Sequence, residues 1–221
     1  MKSLSQKNRQ RMLDIVSFIL GPVQTNAYLV ADTGSKAAVV IDPAWDGHII
    51  VAEAEKRGWQ IGQIWLTHAH FDHIGGTDAV IKGVNPAPQI ALHLEDRSLW
   101  RMQGGAPFFG MSVDVGSEPT RVLIHGQKLE LGNYKFEVRH SPGHTPGHVI
   151  FYCQEEAVVF GGDVIFWGSI GRTDLPRGDY NTLMNSIRDQ ILTLPNETRL
   201  LTGHGPETTV GIERIENPFL V

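Results

Sequence analysis

Residues 67–73 read Thr-His-Ala-His-Phe-Asp-His, so three histidines and one aspartate fall within six positions directly after an apolar run. Neutral imidazole and carboxylate are the donors that suit zinc, iron or manganese, and the cluster reads as a metal site. In an extended segment residues two apart face the same way, so His68 and His70 can grip one ion while the turn that follows swings Asp72 and His73 to another. Three further polar groups end apolar runs, each flanked by glycine: His144 in Ser-Pro-Gly-His-Thr-Pro-Gly-His, Asp163 in Val-Val-Phe-Gly-Gly-Asp, and His204 in Leu-Leu-Thr-Gly-His-Gly. Glycine permits the tight turns and close backbone approach through which distant segments converge on one point. Seven such groups allow two metals. His48, His93, His125 and His140 read as ordinary polar residues. His148 repeats the Pro-Gly-His pattern and reads as structural, with support of a ligand as its other role.

Convergence of this kind requires strands that end at a common edge. Short apolar runs rich in branched residues, punctuated by Gly, Pro, Asn or Ser, predict strands over 14–20, 27–31, 37–41, 61–66, 89–93, 121–124, 135–141, 148–153, 157–160 and 199–202. Helices are expected from Asp46 to about Arg57 with Gly58 as the stop, from a cap at Asp72 through Lys82, over 180–192 and over 208–215. The glycine- and proline-rich stretch 102–119 reads as loop, either a flap over a site or a plain connection. Mixed strands and helices in two sheet-rich halves, with no internal repeat, fit an α/β sandwich.

At 221 residues the chain is long enough to bury a full hydrophobic core, and one domain over 13–221 is expected. The net charge of −5, with no basic run beyond the first eleven residues, argues against a nucleic-acid partner. No stretch approaches the length of a membrane span, and residues 1–12 lack the apolar core of a secretory signal, so a flexible tail and a cytoplasmic protein are expected. The single cysteine, Cys153, excludes a disulfide within the chain and reads as a buried core thiol.

The order His-x-His-x-Asp-His, then His, Asp and His, resembles the metallo-β-lactamase superfamily. The resemblance implies a four-layer αββα sandwich of two mixed sheets flanked by helices. It implies that His68, His70 and His144 hold one metal, that Asp72, His73 and His204 hold a second, and that Asp163 bridges them. Asp42, closing Val-Val-Ile-Asp-Pro, matches the early aspartate that orients a ligand histidine in that family. Within the superfamily the chain is similar to hydroxyacylglutathione hydrolases (glyoxalase II), through 67–76, 141–148, Gly162-Asp163, Gly171-Arg172 and the closing Asn217-Pro-Phe-Leu. Two-domain members add a helical domain that contacts glutathione, whereas this chain ends at Val221. They also carry tyrosines where Asp174 and Pro206 stand here. The short single-domain branch, with Gly-Arg-Thr-Asp-Leu-Pro and Gly-His-Gly-Pro-Glu-Thr-Thr, is the closer likeness. Arg172 occupies the place of a basic residue near the thiol peptide, and it also reads as a local partner of Asp174.

Two divalent ions that share a hydroxide supply a nucleophile at neutral pH, with Asp72 placed to orient it and move its proton. The implied function is dinuclear hydrolysis of a small-molecule thioester, with two zinc ions expected and iron or manganese as alternatives. Persulfide dioxygenases are also similar, through Gly171-Arg172-Thr173-Asp174, and imply instead one iron held by His68, His144 and Asp163, although Ser169 and Ile170 stand where those enzymes carry a cysteine. Lactone or aryl-ester hydrolysis would use the same dinuclear site. β-Lactam hydrolysis is disfavoured, because a bridging aspartate at 163 is not the pattern of those enzymes. The acidic balance disfavours a nuclease, and the complete ligand set disfavours an inactive binding module.

Overall fold

In the computed structural model, residues 12–221 are described. The tail expected over 1–12 therefore lies outside the described residues, apart from exposed Met12. The chain opens with three antiparallel strands, β1 (Leu13–Leu20), β2 (Thr25–Asp32) and β3 (Ala37–Ile41), followed by α1 (Gly47–Arg57), which ends on Gly58 in the left-handed conformation. Strand β4 (Gln60–Trp65) leads to α2 (Phe71–Ile74) and α3 (Thr77–Gly83), then β5 (Gln89–His93), α4 (Arg97–Arg101), a 3-10 segment Gln103–Phe109 and β6 (Arg121–Leu123). The second half runs through β7 (Lys128–Leu131), β8 (Tyr134–His140), β9 (Val149–Cys153), β10 (Val158–Gly162), the small hairpin β11 (Ile165–Phe166) and β12 (Ser169–Ile170), α5 (Tyr180–Ser186), β13 (Arg199–Thr202), β14 (Thr208–Thr209) and α6 (Val210–Glu216).

Two six-stranded mixed sheets result, ordered β1-β2-β3-β4-β5-β6 and β14-β13-β10-β9-β8-β7. Side-chain alternation explains why they stack. Along β2, Tyr28 and Val30 face the other sheet while Ala27, Leu29 and Ala31 face α1 and α3. Along β9, Val149, Phe151 and Cys153 point between the sheets while Ile150 and Tyr152 point at α5. A strand covered on both faces reads as a continuous apolar run, which is why these segments stand out in the sequence. The inter-sheet layer holds Trp65, Phe136, Phe151 and Phe160, with the Trp65 and Phe136 rings edge to face at 5.1 Å. Helices on the outer face of each sheet complete the αββα layering. Cys153 is fully buried and free, and burial raises its thiol to about 11.

Several local expectations are corrected. The single helix from a cap at Asp72 through Lys82 is two short helices; His70 caps the first, and the chain breaks at Gly75–Gly76, where the Gly76 N–H leaves the helical ladder to donate to Ala44 O at 2.6 Å. The stretch 102–119 is not loop throughout, since Gln103–Phe109 holds 3-10 turns interrupted by Gly104 and Gly105 in the left-handed conformation. The expected helix over 208–215 begins as strand β14 and turns helical only at Val210, where Thr209 Oγ1 accepts from Ile212 N. The helix over 180–192 changes to a wider π turn at Ile187–Ile191.

The strands that matter for the site share a direction. β3, β4 and β5 are mutually parallel, as are β10 and β13, and β8 runs with β10 because each is antiparallel to β9. Their C-terminal ends bring 42, 67–73, 93–96, 144, 163 and 204 to the site. Thr25, at the start of antiparallel β2, joins them there.

Candidate metal centre

The groups singled out in the sequence meet at this edge. His68, His73, His144 and Asp163 are buried; His70, Asp72 and His204 are partly exposed and line a cleft of about 340 Å³ together with His144, Asp163, Arg172 and Leu175. Potential donor atoms of His68, His70 and His144 lie within 4.8 Å of one another, and so do those of Asp72, His73 and His204. Asp163 sits between the two triads. Its Oδ1 is 3.2 Å from His73 Nε2, and its Oδ2 is 3.5 Å from His144 Nε2 and 3.6 Å from His204 Nε2. The triads are themselves linked, with His73 Nε2 and His204 Nε2 at 3.5 and 3.2 Å from Asp72 Oδ2 and His70 Nδ1 at 2.8 Å from His144 Nε2.

The outer nitrogens are tied down so that the inner ones point inward. His73 Nδ1 lies 2.9 Å from Asp42 Oδ2, His144 Nδ1 lies 2.7 Å from the Arg172 carbonyl oxygen, and His68 Nδ1 lies 3.0 Å from Thr67 Oγ1. His68 Nε2, His73 Nε2 and Asp163 Oδ1 are left buried without a hydrogen-bond partner. Buried polar atoms are normally bonded, so three orphans aimed at one point fit a pair of cations. Asp42, His68 and His73 also approach within 4.8 Å. Both Asp42 oxygens are already occupied, however, Oδ1 by Thr67 N at 2.8 Å and Oδ2 by Thr67 Oγ1 at 2.6 Å and His73, so Asp42 orients rather than ligates.

Electrostatics follow from burial and this crowding. Burial, and then the neighbouring histidines, push His68 well below its ordinary value, and burial with His144 takes His70 down to about 3. Burial alone would raise Asp72, but His73 and His204 outweigh it and hold its carboxyl at about 2. Burial would likewise depress His73, yet Asp163 and Asp72 carry it well above its ordinary value.

Glycine is required where the loops close in. A Cβ at Gly203 would fall on Asp163 Oδ1 and lie 2.8 Å from His73 Cε1, so the strand end of β13 reaches the centre only without a side chain.

Arg172 lines the cleft, but its guanidinium forms a two-pronged pair with Asp174 at 2.7 Å per contact, and its clearest contribution is the carbonyl that holds His144. His148 is fully buried, stacks on His68 at 4.7 Å and accepts from Asp163 N at 3.0 Å, supporting two of the converging residues. His48, His93, His125 and His140 join no potential metal group among the described residues. Phe166 meets the His204 ring edge at 6.0 Å, while Trp167 is exposed.

Three supporting residues escape a reading of the sequence. Thr25 Oγ1 donates to Asp72 Oδ2 at 2.8 Å. Thr67 relays between Asp42 and His68. Asp96, fully buried, accepts from Ala69 N at 3.0 Å, Thr145 Oγ1 at 2.7 Å and Gly147 N at 2.7 Å, clamping the His68–His70 segment to the His144 loop. Nothing in Leu-His-Leu-Glu-Asp-Arg separates Asp96 from a solvated charge run.

The family described as the metallo-beta-lactamase superfamily matches residues 20–204. Hydroxyacylglutathione hydrolase GloC of Haemophilus influenzae is 36% identical over 208 residues, 89% of this chain and 93% of that protein. Among solved structures, one described as BLEG-1 B3 metallo-beta-lactamase is 40% identical, covers 94% of this chain and 100% of its own, and superposes with a TM-score of 0.88. Another, TTHA1623 in a di-iron-bound form, is 41% identical, covers 93% and 100%, and gives 0.84. The family match over most of the chain and the likeness in fold show that the chain belongs to the metallo-β-lactamase superfamily and is one of its metallo-hydrolases.

Proposed function

We propose that the chain is a dinuclear metal-dependent thioester hydrolase, acting on small hydroxyacylglutathione-type thioesters in the cytoplasm. In this reading His68, His70 and His144 would hold one cation, Asp72, His73 and His204 would hold the other, and Asp163 would bridge the two. The observation that carries it is the position of Asp163 between two donor triads, each of which holds one buried imidazole nitrogen, His68 Nε2 or His73 Nε2, without a hydrogen-bond partner. Histidine and carboxylate donors accept zinc, iron or manganese. Zinc is the proposed occupant, and the di-iron form of the TTHA1623 relative makes iron the alternative. Bound there, a pair of divalent cations lowers the pKa of water toward about 7 and polarises the substrate carbonyl.

The chain's own residues do the rest. Asp72, tethered through Oδ2 by Thr25 and kept ionised by its histidine neighbours, lines the cleft as the group that orients the attacking water and shuttles its proton. Asp42, the Arg172 carbonyl and Thr67 keep three imidazoles aimed inward, so little reorganisation accompanies reaction. No serine or cysteine nucleophile is needed. A thiol of ordinary pKa near 8.5 leaves as thiolate without a strong acid beside it, which favours thioesters over alkyl esters.

The resemblance to glyoxalase II and the name of the GloC relative both support a thioester. The relative described as a B3 metallo-β-lactamase supports β-lactam hydrolysis as a second reading, against the bridging-aspartate argument. Zinc-loaded protein assayed in parallel with S-lactoylglutathione and a chromogenic cephalosporin decides between them. Saturable thiol release with little ring opening supports the proposal; the reverse pattern overturns it. Oxygen uptake with a glutathione persulfide by an iron-loaded preparation, without thioester turnover, would transfer the site to dioxygenase chemistry.

A further inference from the structure

Beside the metal cleft lies a second cavity of about 170 Å³, and His70, Phe109 and Leu175 line both. Its walls are otherwise largely apolar, with Leu99, Met102, Phe108 and Pro146 contributing. The polar groups that reach it are already engaged: Asp96 by three donors, and Arg177 by Glu95 Oε2 at 3.1 Å and Ser98 Oγ at 3.4 Å.

The apolar rim is held in place. Phe108 is 69% exposed, Phe109 49% and Met102 48%, three large apolar side chains turned outward within eight residues. The segment that bears them is pinned to the ligand loop, because Gly104, at φ +64°, packs so closely that a Cβ would fall on Phe71 N, between His70 and Asp72. Apolar surface grouped around a cavity that shares walls with a cleft of reactive groups marks a binding site rather than incidental exposure.

We propose that this annex binds the apolar acyl chain of the substrate and makes the enzyme selective for thioesters with about four to six acyl carbons over very short ones. The inference rests on the thioesterase reading and deepens it. The thiol portion of a glutathione-type thioester is polar and charged, and the annex has no free charged group to receive it. The acyl arm is therefore the part that fits. The volume corresponds to roughly five or six waters at about 30 Å³ each, the bulk of a butyl to hexyl group.

The test compares binding of two uncleavable thioethers, S-hexylglutathione and S-methylglutathione, to zinc-loaded protein by calorimetry. Each buried methylene is worth roughly fourfold in affinity, and with one side of the annex open the hexyl compound is expected to bind at least tenfold tighter. Leu99→Trp, which fills the annex from a wall away from the metal cleft, should collapse that ratio toward one. Phe108→Ala, at an exposed position with little bearing on folding, should lower it several-fold. Equal affinity of the two thioethers, no binding of the hexyl compound, or a ratio untouched in both variants overturns the proposal. Failure of the underlying reading is distinguishable: a hexyl preference that Leu99→Trp removes, in a protein that cleaves neither lactoyl nor hexanoyl thioesters, leaves the annex standing and removes the thioesterase assignment.

Discussion

Replacing Asp42 by Asn isolates the part of the site that aims a histidine without touching metal. Asp42 is 2% exposed and adopts φ +48°, a backbone state that Asn also tolerates, so the loop can keep its path. The carboxylate accepts three hydrogen bonds, from Thr67 N at 2.8 Å, Thr67 Oγ1 at 2.6 Å and His73 Nδ1 at 2.9 Å. An Asn can reproduce the first through its oxygen. Its NH₂ group then faces Thr67 Oγ1 and His73 Nδ1, both of which donate in the native arrangement. His73 must switch tautomer to accept at Nδ1, which puts a proton on Nε2, the atom aimed at the centre. Loss of an orienting partner of this kind lowers metal affinity about 10- to 100-fold, or about 1.4–2.8 kcal/mol at tenfold per 1.4 kcal/mol. The loss should fall on the site that uses His73. Stepwise competition against a chromophoric chelator, on protein verified as folded by circular dichroism, should show one of two affinities weakened by that factor and the other changed far less. Two affinities equal to those of the native protein would refute the assigned role of Asp42 and, with it, the use of His73 Nε2 as a ligand.

Other expectations follow from the same geometry. Gly203→Ala drives a methyl into Asp163 Oδ1, so it should cost about 1–3 kcal/mol of stability by overpacking and lower the metal content found by elemental analysis; a normal metal complement would show that Asp163 is not held against this strand end. Asp32 is buried and accepts from Gly34 N, Ser35 Oγ, Asn133 N and Asn133 Nδ2 at 2.8–3.0 Å, joining the β2–β3 turn to the β7–β8 turn of the other sheet. Asp32→Ala should remove about 2–4 kcal/mol in urea unfolding near pH 7, since several donors lose their partner. Burial pushes the Asp32 carboxyl up, but these donors outweigh it and leave it below its ordinary value. A depressed folded-state pKa adds stability above the unfolded value near 3.9 that is lost as pH falls through the folded one, so the gap between native and variant should narrow below about pH 4; a constant gap from pH 7 to pH 3 would contradict this. His73 and His204 are both carried above the usual imidazole value in the metal-free protein, once burial, which lowers them, is outweighed by Asp163 and Asp72. Binding a cation there must release protons, so calorimetry in buffers of different ionisation enthalpy should report proton release near pH 6.5 and affinity that falls as the solution is acidified. Uptake without release would contradict the assignment.

Elements in both halves of the molecule differ in how plainly their sequence shows them. Strands such as Ala37–Ile41 and Val158–Gly162 are buried on both faces and so appear as apolar runs, and the site residues Asp42 and Asp163 follow at their ends. The His-x-His-x-Asp-His spacing brings its own register, because the backbone goes from extended at His70 to helical at Phe71 within that stretch. What stays hidden depends on distant partners. Lys128–Leu131 alternates over only four residues and is a strand because Tyr134–His140 pairs with it. The helix expected after Asp72 breaks because Gly76 bonds to Ala44, thirty-odd positions earlier. Asp96 becomes a clamp only when β5 delivers it between Ala69 and Gly147, and Thr25 reaches Asp72 across 47 positions. Arg172 shows the opposite case, a residue whose charge draws attention while its carbonyl makes the contact with the centre.

The most direct test of the account is the number of divalent cations that each chain must hold to work. Metal-free protein is titrated with zinc while bound metal and thiol release from S-lactoylglutathione are followed on the same samples. A dinuclear site requires binding to end at two per chain, with turnover rising to a plateau at the second equivalent and with His70→Ala and Asp163→Ala reducing both. Saturation at one per chain with full turnover, or two bound ions with no hydrolysis, would contradict it.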